Sequence, residues 1–270
     1  MQYLIEILSY PFAIRALVVG ILLSLCAALL GVNLVLKRLS LLGDGLSHVS
    51  FGAAAIALAA GVAPLEFSIP IVVLAAILLM WLQNKKIGGD AAIAIVSSSS
   101  LAIGVIVASM TTGMNTDISN YMFGSILALT KRDVAVSVFC TAVIMAVYIL
   151  FYHKIFLVSF DEDFARSAGV KVKLLGAITA ILTAVITVIG MRVMGALLIS
   201  SIITFPALSA MRVCRSYRGT VITSALFSVS AFLTGITLSF LFDLPTGAAV
   251  VLCNLFIFIA SFVLNKIKNI

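Results

Sequence analysis

Charge is what this chain has least of. Asp, Glu, Lys and Arg make up 10% of its 270 residues, where a soluble domain carries about 25%. With 63% apolar residues and a mean hydropathy of +1.28, it has no polar stretch long enough to fold as a water-facing domain. Residues 1–270 therefore read as a single membrane domain. Other absences narrow the chemistry. No Gly-x-x-x-x-Gly-Lys-Ser/Thr loop occurs, so the chain does not hydrolyse ATP by that route. No His-Glu-x-x-His spacing is available to an intramembrane metalloprotease. Cys26, Cys140, Cys214 and Cys253 each stand alone in or at the end of an apolar run, without a Cys-x-x-Cys pair. Neither a structural zinc site nor a redox motif is indicated, and helix packing is their expected role.

What is present is a series of apolar runs of about the 20 residues a span requires. They cover 16–36, 45–61, 69–82, 91–110, 134–152, 174–191, 195–213, 220–241 and 248–264. Nine spans are expected, the third of them short, or eight if one is re-entrant. Residues 1–13 carry Glu6 and no basic residue ahead of their apolar positions, so no cleavable signal is expected there. The net charge of +7 does not indicate nucleic acid, because the basic residues come as pairs and singles between apolar runs. Lys37-Arg38, Lys85-Lys86, the set Lys154, Arg166, Lys171 and Lys173, the set Arg212, Arg215 and Arg218, and Lys266 with Lys268 follow alternate spans. By the positive-inside rule these five clusters share the cytoplasmic side, and the C-terminus with them. Small residues recur at four-residue spacing in Ala53, Ala57, Gly61; in Ser100, Gly104, Ala108; and in Gly176, Ala180, Ala184. Such rows let helices approach in lipid.

Two polar segments carry chemistry. The first, Gly43-Asp44-Gly45-Leu46-Ser47-His48, opens the second span. On a helix Asp44 and His48 lie on one face, a turn apart. A carboxylate and an imidazole so placed can hold a divalent cation or relay a proton, and ionisable groups at membrane depth mark functional sites. The bland alternative is a buried ion pair, or a helix-start cap made by Asp44. The second segment lies between the fifth and sixth spans. There Ser159-Phe160-Asp161-Glu162 fits a capping box, Asp161, Glu162 and Asp163 suit the positive end of a helix dipole, and Gly169 fits a left-handed stop. A two-turn helix over 160–168 is expected. Phe164, Ala165 and Ala168 would give it a small apolar face for a groove on a soluble partner. Its acidic first turn argues against lying on an anionic leaflet.

Five segments in this order resemble the permease family of ABC-type importers for zinc, manganese and iron. They are Leu36-Lys37-Arg38-Leu39-Ser40-Leu41-Leu42-Gly43-Asp44-Gly45-Leu46-Ser47-His48, Tyr121-Met122-Phe123-Gly124-Ser125-Ile126-Leu127, and Asp163-Phe164-Ala165-Arg166-Ser167-Ala168-Gly169. Then come Gly195-Ala196-Leu197-Leu198-Ile199-Ser200 leading to Pro206-Ala207, and Leu238-Ser239-Phe240-Leu241-Phe242-Asp243-Leu244-Pro245-Thr246-Gly247-Ala248. The resemblance spans nearly the whole chain. It implies an all-α polytopic membrane protein of the type II ABC importer kind, with about 8–9 transmembrane helices and a short cytoplasmic coupling helix. It implies a permease homodimer in the cell membrane, a cytoplasmic ATP-binding subunit, and an extracytoplasmic metal-binding protein or lipoprotein. Asp44 and His48 match the family's metal-pathway motif. Asp163, Phe164, Ala165, Arg166 and Gly169 match the segment that engages the ATPase.

On this reading the chain is a transport subunit rather than an enzyme. Its metal ion is cargo rather than a resident cofactor, and its surroundings are lipid, not nucleic acid. Gly45 stands where the family often has alanine, which should loosen the helix by up to about 1 kcal/mol. Two other readings compete. A permease for an iron chelate or cobalamin-like ligand would need a wide path and no paired ligands. A proton-coupled secondary carrier could use Asp44 and His48 as a relay, but leaves the capped helix without a role.

Overall fold

The computed structural model describes residues 11–83, 89–111, 124, 130–196 and 199–268. The Lys85-Lys86 cluster, most of the segment around Gly124, and Leu197-Leu198 fall outside these residues. Ten helices are described and no strand: α1 (Pro11–Leu36), α2 (Leu42–Ala59), α3 (Pro64–Gln83), α4 (Gly89–Met110), α5 (Lys131–Phe160), α6 (Glu162–Ser167), α7 (Val172–Met194), α8 (Ile199–Val213), α9 (Tyr217–Phe242) and α10 (Thr246–Lys268). Eight of them are long and apolar enough to cross a membrane.

Interhelical bonds sort the helix ends into two sets. At one end Lys37 pairs with Glu162, and Asn33 near the end of α1 meets Ser159 near the end of α5 and Tyr217 at the start of α9. At the other, Arg132 at the start of α5 pairs with Glu66 of α3, and Asp133 pairs with Arg192 near the end of α7. The first set carries Lys37-Arg38 at the end of α1, Arg166 on α6, and Arg215 and Arg218 at the start of α9, described members of the clusters that the charge pattern groups together. Burial separates an inner layer from an outer one. In α1, α2 and α7, 61–72% of the span is buried, while in α4 and α5 it is 22%. α2 earns its inner place through small side chains. Ala53, Ala54, Ala55 and Ala57 are buried, and Gly104 of α4 rests against Gly52 and Phe51. Close backbone approach of this kind replaces the hydrophobic drive that lipid cannot supply.

Several expectations need correction. The short helix is not the third but α8, whose 15 residues rise only about 22 Å. α3 has 20 residues, because Pro64 takes the first helical position, where a missing N–H costs nothing. α5 runs 30 residues and continues to Phe160, beyond the expected end of the fifth span at 152. The expected capping box at Ser159 therefore does not form. Its hydroxyl instead donates to Asn33 Oδ1 at 3.1 Å. The row Ala53, Ala57, Gly61 is also cut short, since Gly61 lies beyond α2 with a φ of +68°.

Candidate functional site

Asp44 and His48 lie in the first two turns of α2, and their side chains converge as the four-residue spacing requires. His48 Nε2 stands 3.8 Å from Asp44 Oδ2. That is too long for a hydrogen bond. It is short enough for one cation to touch both, since zinc sits about 2.0–2.2 Å from nitrogen and carboxylate ligands. Asp44 does not cap the helix. The cap residue is Leu41, whose side chain makes no capping hydrogen bond. The carboxylate side chain is 44% exposed on the isolated chain and the imidazole 17%, so the pair opens outward from α2. Among the described residues no third Asp, Glu, His or Cys joins it.

The glycines on either side of Asp44 explain how a carboxylate reaches this position. A Cβ on Gly43 would stand 3.0 Å from Ile203 Cδ1 of α8, and one on Gly45 would stand 2.5 Å from Ile93 Cγ2 of α4. Helices α4 and α8 thus close on α2 at the level of Asp44. Gly45 is needed for packing, which overturns the expectation that it merely loosens the helix. Ser47 donates to the Asp44 carbonyl at 2.7 Å, satisfying its own hydroxyl inside the bundle. Asn254 is buried on α10, where its amide donates to the Val250 carbonyl and Oδ1 has no partner among the described residues.

The second polar segment forms α6, with Asp161 as its cap. Asp161 Oδ1 accepts from the amides of Asp163 at 3.0 Å and Phe164 at 2.9 Å. An aspartate at the break with α5 serves as well as the expected serine. Gly169, at φ +80°, closes the helix: its N–H donates to Arg166 and that of Val170 to the Ala165 carbonyl. This double bond is the Schellman arrangement. The apolar face differs from expectation. Ala165 is fully buried against the chain's own core, because on so short a helix only one side can pack inward. Phe164, 59% exposed, points away from the bundle beside exposed Asp163 and Arg166. Lys37 ties α6 to the end of α1 by its 3.0 Å pair with Glu162.

Residues 9–265 match the family model described as the ABC 3 transport family. The chain belongs to that family. It is 30% identical to the high-affinity zinc uptake system membrane protein ZnuB of Haemophilus influenzae over 91% of this chain and 95% of that one. It is 29% identical to the manganese import system permease protein ScaB of Streptococcus gordonii over 94% of this chain and 91% of that one. Among solved structures, PsaBC from Streptococcus pneumoniae in complex with Fab contains a chain 27% identical, with a TM-score of 0.87, covering 97% of this chain and 94% of that one. The chain is thus a multi-pass membrane permease of the ABC metal-transport class.

In this ABC 3 chain the remaining sequence markers prove to build turns and contacts. Gly124 packs against the backbone of Met194 and Gly195, which brings two markers together. The last marker shapes the α9–α10 hairpin. Asp243 takes a left-handed φ of +51°, the Leu244 amide donates to the Ser239 carbonyl at 3.1 Å, and the Ser239 hydroxyl donates to the Leu244 carbonyl at 2.7 Å. Sequence reasoning missed one cluster altogether. Asn33 Oδ1 accepts from Tyr217 at 2.7 Å and from Ser159 at 3.1 Å, while its amide donates to the Tyr148 oxygen at 3.3 Å. Tyr148 and Tyr217 are themselves 3.1 Å apart. This joint ties α1, α5 and α9 just before the chain enters α6. The only sequence signal was a lone asparagine in an apolar run.

Proposed function

We propose that this chain is the membrane-spanning subunit of an importer that moves a divalent transition metal ion (zinc, manganese or iron) into the cytoplasm. All of residues 1–270 would act as one permease domain. The observation that carries this reading is the Asp44–His48 pair. A carboxylate and an imidazole 3.8 Å apart, half-exposed at the start of an inner helix, offer charge and a nitrogen donor to a bare cation. They are too few to trap it. Two protein ligands suit a transit site, which must bind weakly enough to release. The relatives named for zinc and manganese agree with such a cargo, and an iron chelate would have no use for a ligating pair.

The chain hydrolyses nothing itself on this reading. A cytoplasmic ATP-binding subunit supplies the energy and contacts α6 through Phe164, Asp163 and Arg166. Ala165 and Gly169 hold that helix in place. A second permease copy faces the open side of Asp44, and an extracytoplasmic metal-binding protein or lipoprotein delivers the ion. Phe164 supports the docking role as an aromatic anchor on a short helix whose opposite side, at Ala165, is fixed in the chain's own core.

The test is uptake of radioactive zinc and manganese by cells in which Asp44→Asn and His48→Ala replace the native chain. Each variant should lose most uptake while membrane expression stays normal. Near-normal uptake by the double variant would make the pair structural and remove the bare-ion reading.

A further inference from the structure

A cavity of about 530 Å³ opens at the end of the bundle that carries the basic clusters. Its walls are mixed: Leu30 and Leu34 of α1, Leu42 of α2, Ile155 and Val158 of α5 and Leu175 of α7 form an apolar strip, beside which Asn33, Ser159, Thr179 and Thr183 place polar groups. Its rim is cationic, with Lys37, Arg38, Arg166 and Lys173 against the single acid Glu162. Along α7 the lining runs from Lys173 down to Thr183, ten residues or about 15 Å of helix. That is half of the roughly 30 Å hydrocarbon core, the depth of one leaflet. We propose that this slot binds one anionic phospholipid, with an acyl chain between α1, α5 and α7 and the phosphate headgroup held by Arg38 and Lys173.

The dimensions and the chemistry argue together. Water can solvate the rim and the hydroxyl-bearing side of the slot, but against the leucine and isoleucine strip it forfeits the packing contacts that an acyl chain would make. A soluble anion would satisfy the rim and leave the walls bare; a neutral lipid would do the reverse. An amphiphile with a negative head satisfies both. Rim charge is available for it. Lys37 is engaged by Glu162 and Arg166 by Asp163, while Arg38 and Lys173 are exposed, and no ion pair is formed by either among the described residues.

Arg38 supplies an independent observation. It sits at φ +58°, a left-handed position that closes α1. Its N–H donates to Val35 at 3.1 Å and the Leu39 N–H to Leu34 at 2.8 Å. Glycine normally occupies such a position without steric cost. A strained arginine there places a cation at the slot's mouth, and backbone strain of this kind collects at ligand sites. Because Glu162 and Arg166 of α6 share the rim, an occupied slot would also brace α6. The proposal stands apart from the transport reading, since lipid is read on the purified permease alone.

The experiment delipidates the purified full-length permease in detergent, adds equal dioleoylphosphatidylglycerol and dioleoylphosphatidylcholine, and counts retained lipid by native mass spectrometry. One phosphatidylglycerol should be retained in preference to phosphatidylcholine. Arg38→Gln with Lys173→Gln should weaken that retention roughly thirtyfold, at about fivefold for each cation, leaving phosphatidylcholine unaffected. Ala180→Leu, which fills the slot from α7, should displace the lipid while the rim cations remain. Equal retention of the two lipids, or a phosphatidylglycerol adduct untouched by both variants, would overturn the proposal. So would a charge variant that keeps its lipid but loses co-purification of the ATP-binding subunit, because the rim would then be a protein contact.

Discussion

Replacing Asn33 with alanine removes three interhelical hydrogen bonds at once, to Tyr217 at 2.7 Å, Ser159 at 3.1 Å and Tyr148 at 3.3 Å. Hydrogen bonds between membrane helices average about 0.6 kcal/mol each, with a maximum near 1.7. Three of them amount to roughly 2 kcal/mol. The loss is bounded from above because Tyr148 and Tyr217 remain 3.1 Å apart and can still bond each other. The Ser159 hydroxyl is half-buried on the lining of an open slot, where water can replace the lost acceptor. A destabilisation of about 2 kcal/mol is therefore expected in SDS-titrated unfolding of the purified permease. Tyr217→Phe deletes one of the three bonds. A double-mutant cycle between Asn33→Ala and Tyr217→Phe should give a coupling of about 0.6–1.7 kcal/mol. A cycle energy indistinguishable from zero, or Asn33→Ala within about 0.5 kcal/mol of wild type, would refute the claim that Asn33 is the joint between α1, α5 and α9.

Phe164→Ala should reduce co-purification of the ATP-binding subunit by roughly thirtyfold in association, the usual cost of about 2 kcal/mol for truncating an aromatic anchor; unaltered co-purification and uptake would remove α6 from the coupling path. Gly169→Val should act in the same direction, because a β-branched residue does not tolerate a φ of +80°, and uptake at the wild-type level would contradict this. Gly45→Ala should destabilise by about 1–2 kcal/mol despite its better helix propensity, since its methyl would stand 2.5 Å from Ile93 Cγ2 and overpacking outweighs the roughly 1 kcal/mol gained. Gly45→Ala combined with Ile93→Ala should recover part of that loss in the same unfolding measurement. Single cysteines at Ser167 and at exposed Val62 should label from opposite sides of the membrane, and labelling of Ser167 from outside intact cells would reverse the orientation assigned from the basic residues.

Local order along the chain was enough for the parts of this protein that repeat at short range. Hydropathy marked the membrane class and placed the nine long or short apolar helices found among the described residues, because a span must satisfy its backbone internally whatever its neighbours are. Four-residue spacing put Asp44 and His48 on one face of α2, and the left-handed preference of glycine marked Gly169 as the stop of α6. Contacts between distant segments were another matter. Ser159 read locally as a cap, but its hydroxyl is taken by Asn33, 126 positions away in sequence, and the break falls two residues later at Asp161. Gly45 looked like a weak point until Ile93 of α4 was seen to occupy the space its side chain would need. The inward turn of Ala165, the joint at Asn33 and the cation-rimmed slot beside α7 likewise exist only once the helices have packed. Periodicity specifies which residues share a helix face. Which neighbour that face meets is decided by the sum of many close contacts between helices, and those contacts leave no mark in any single stretch of sequence.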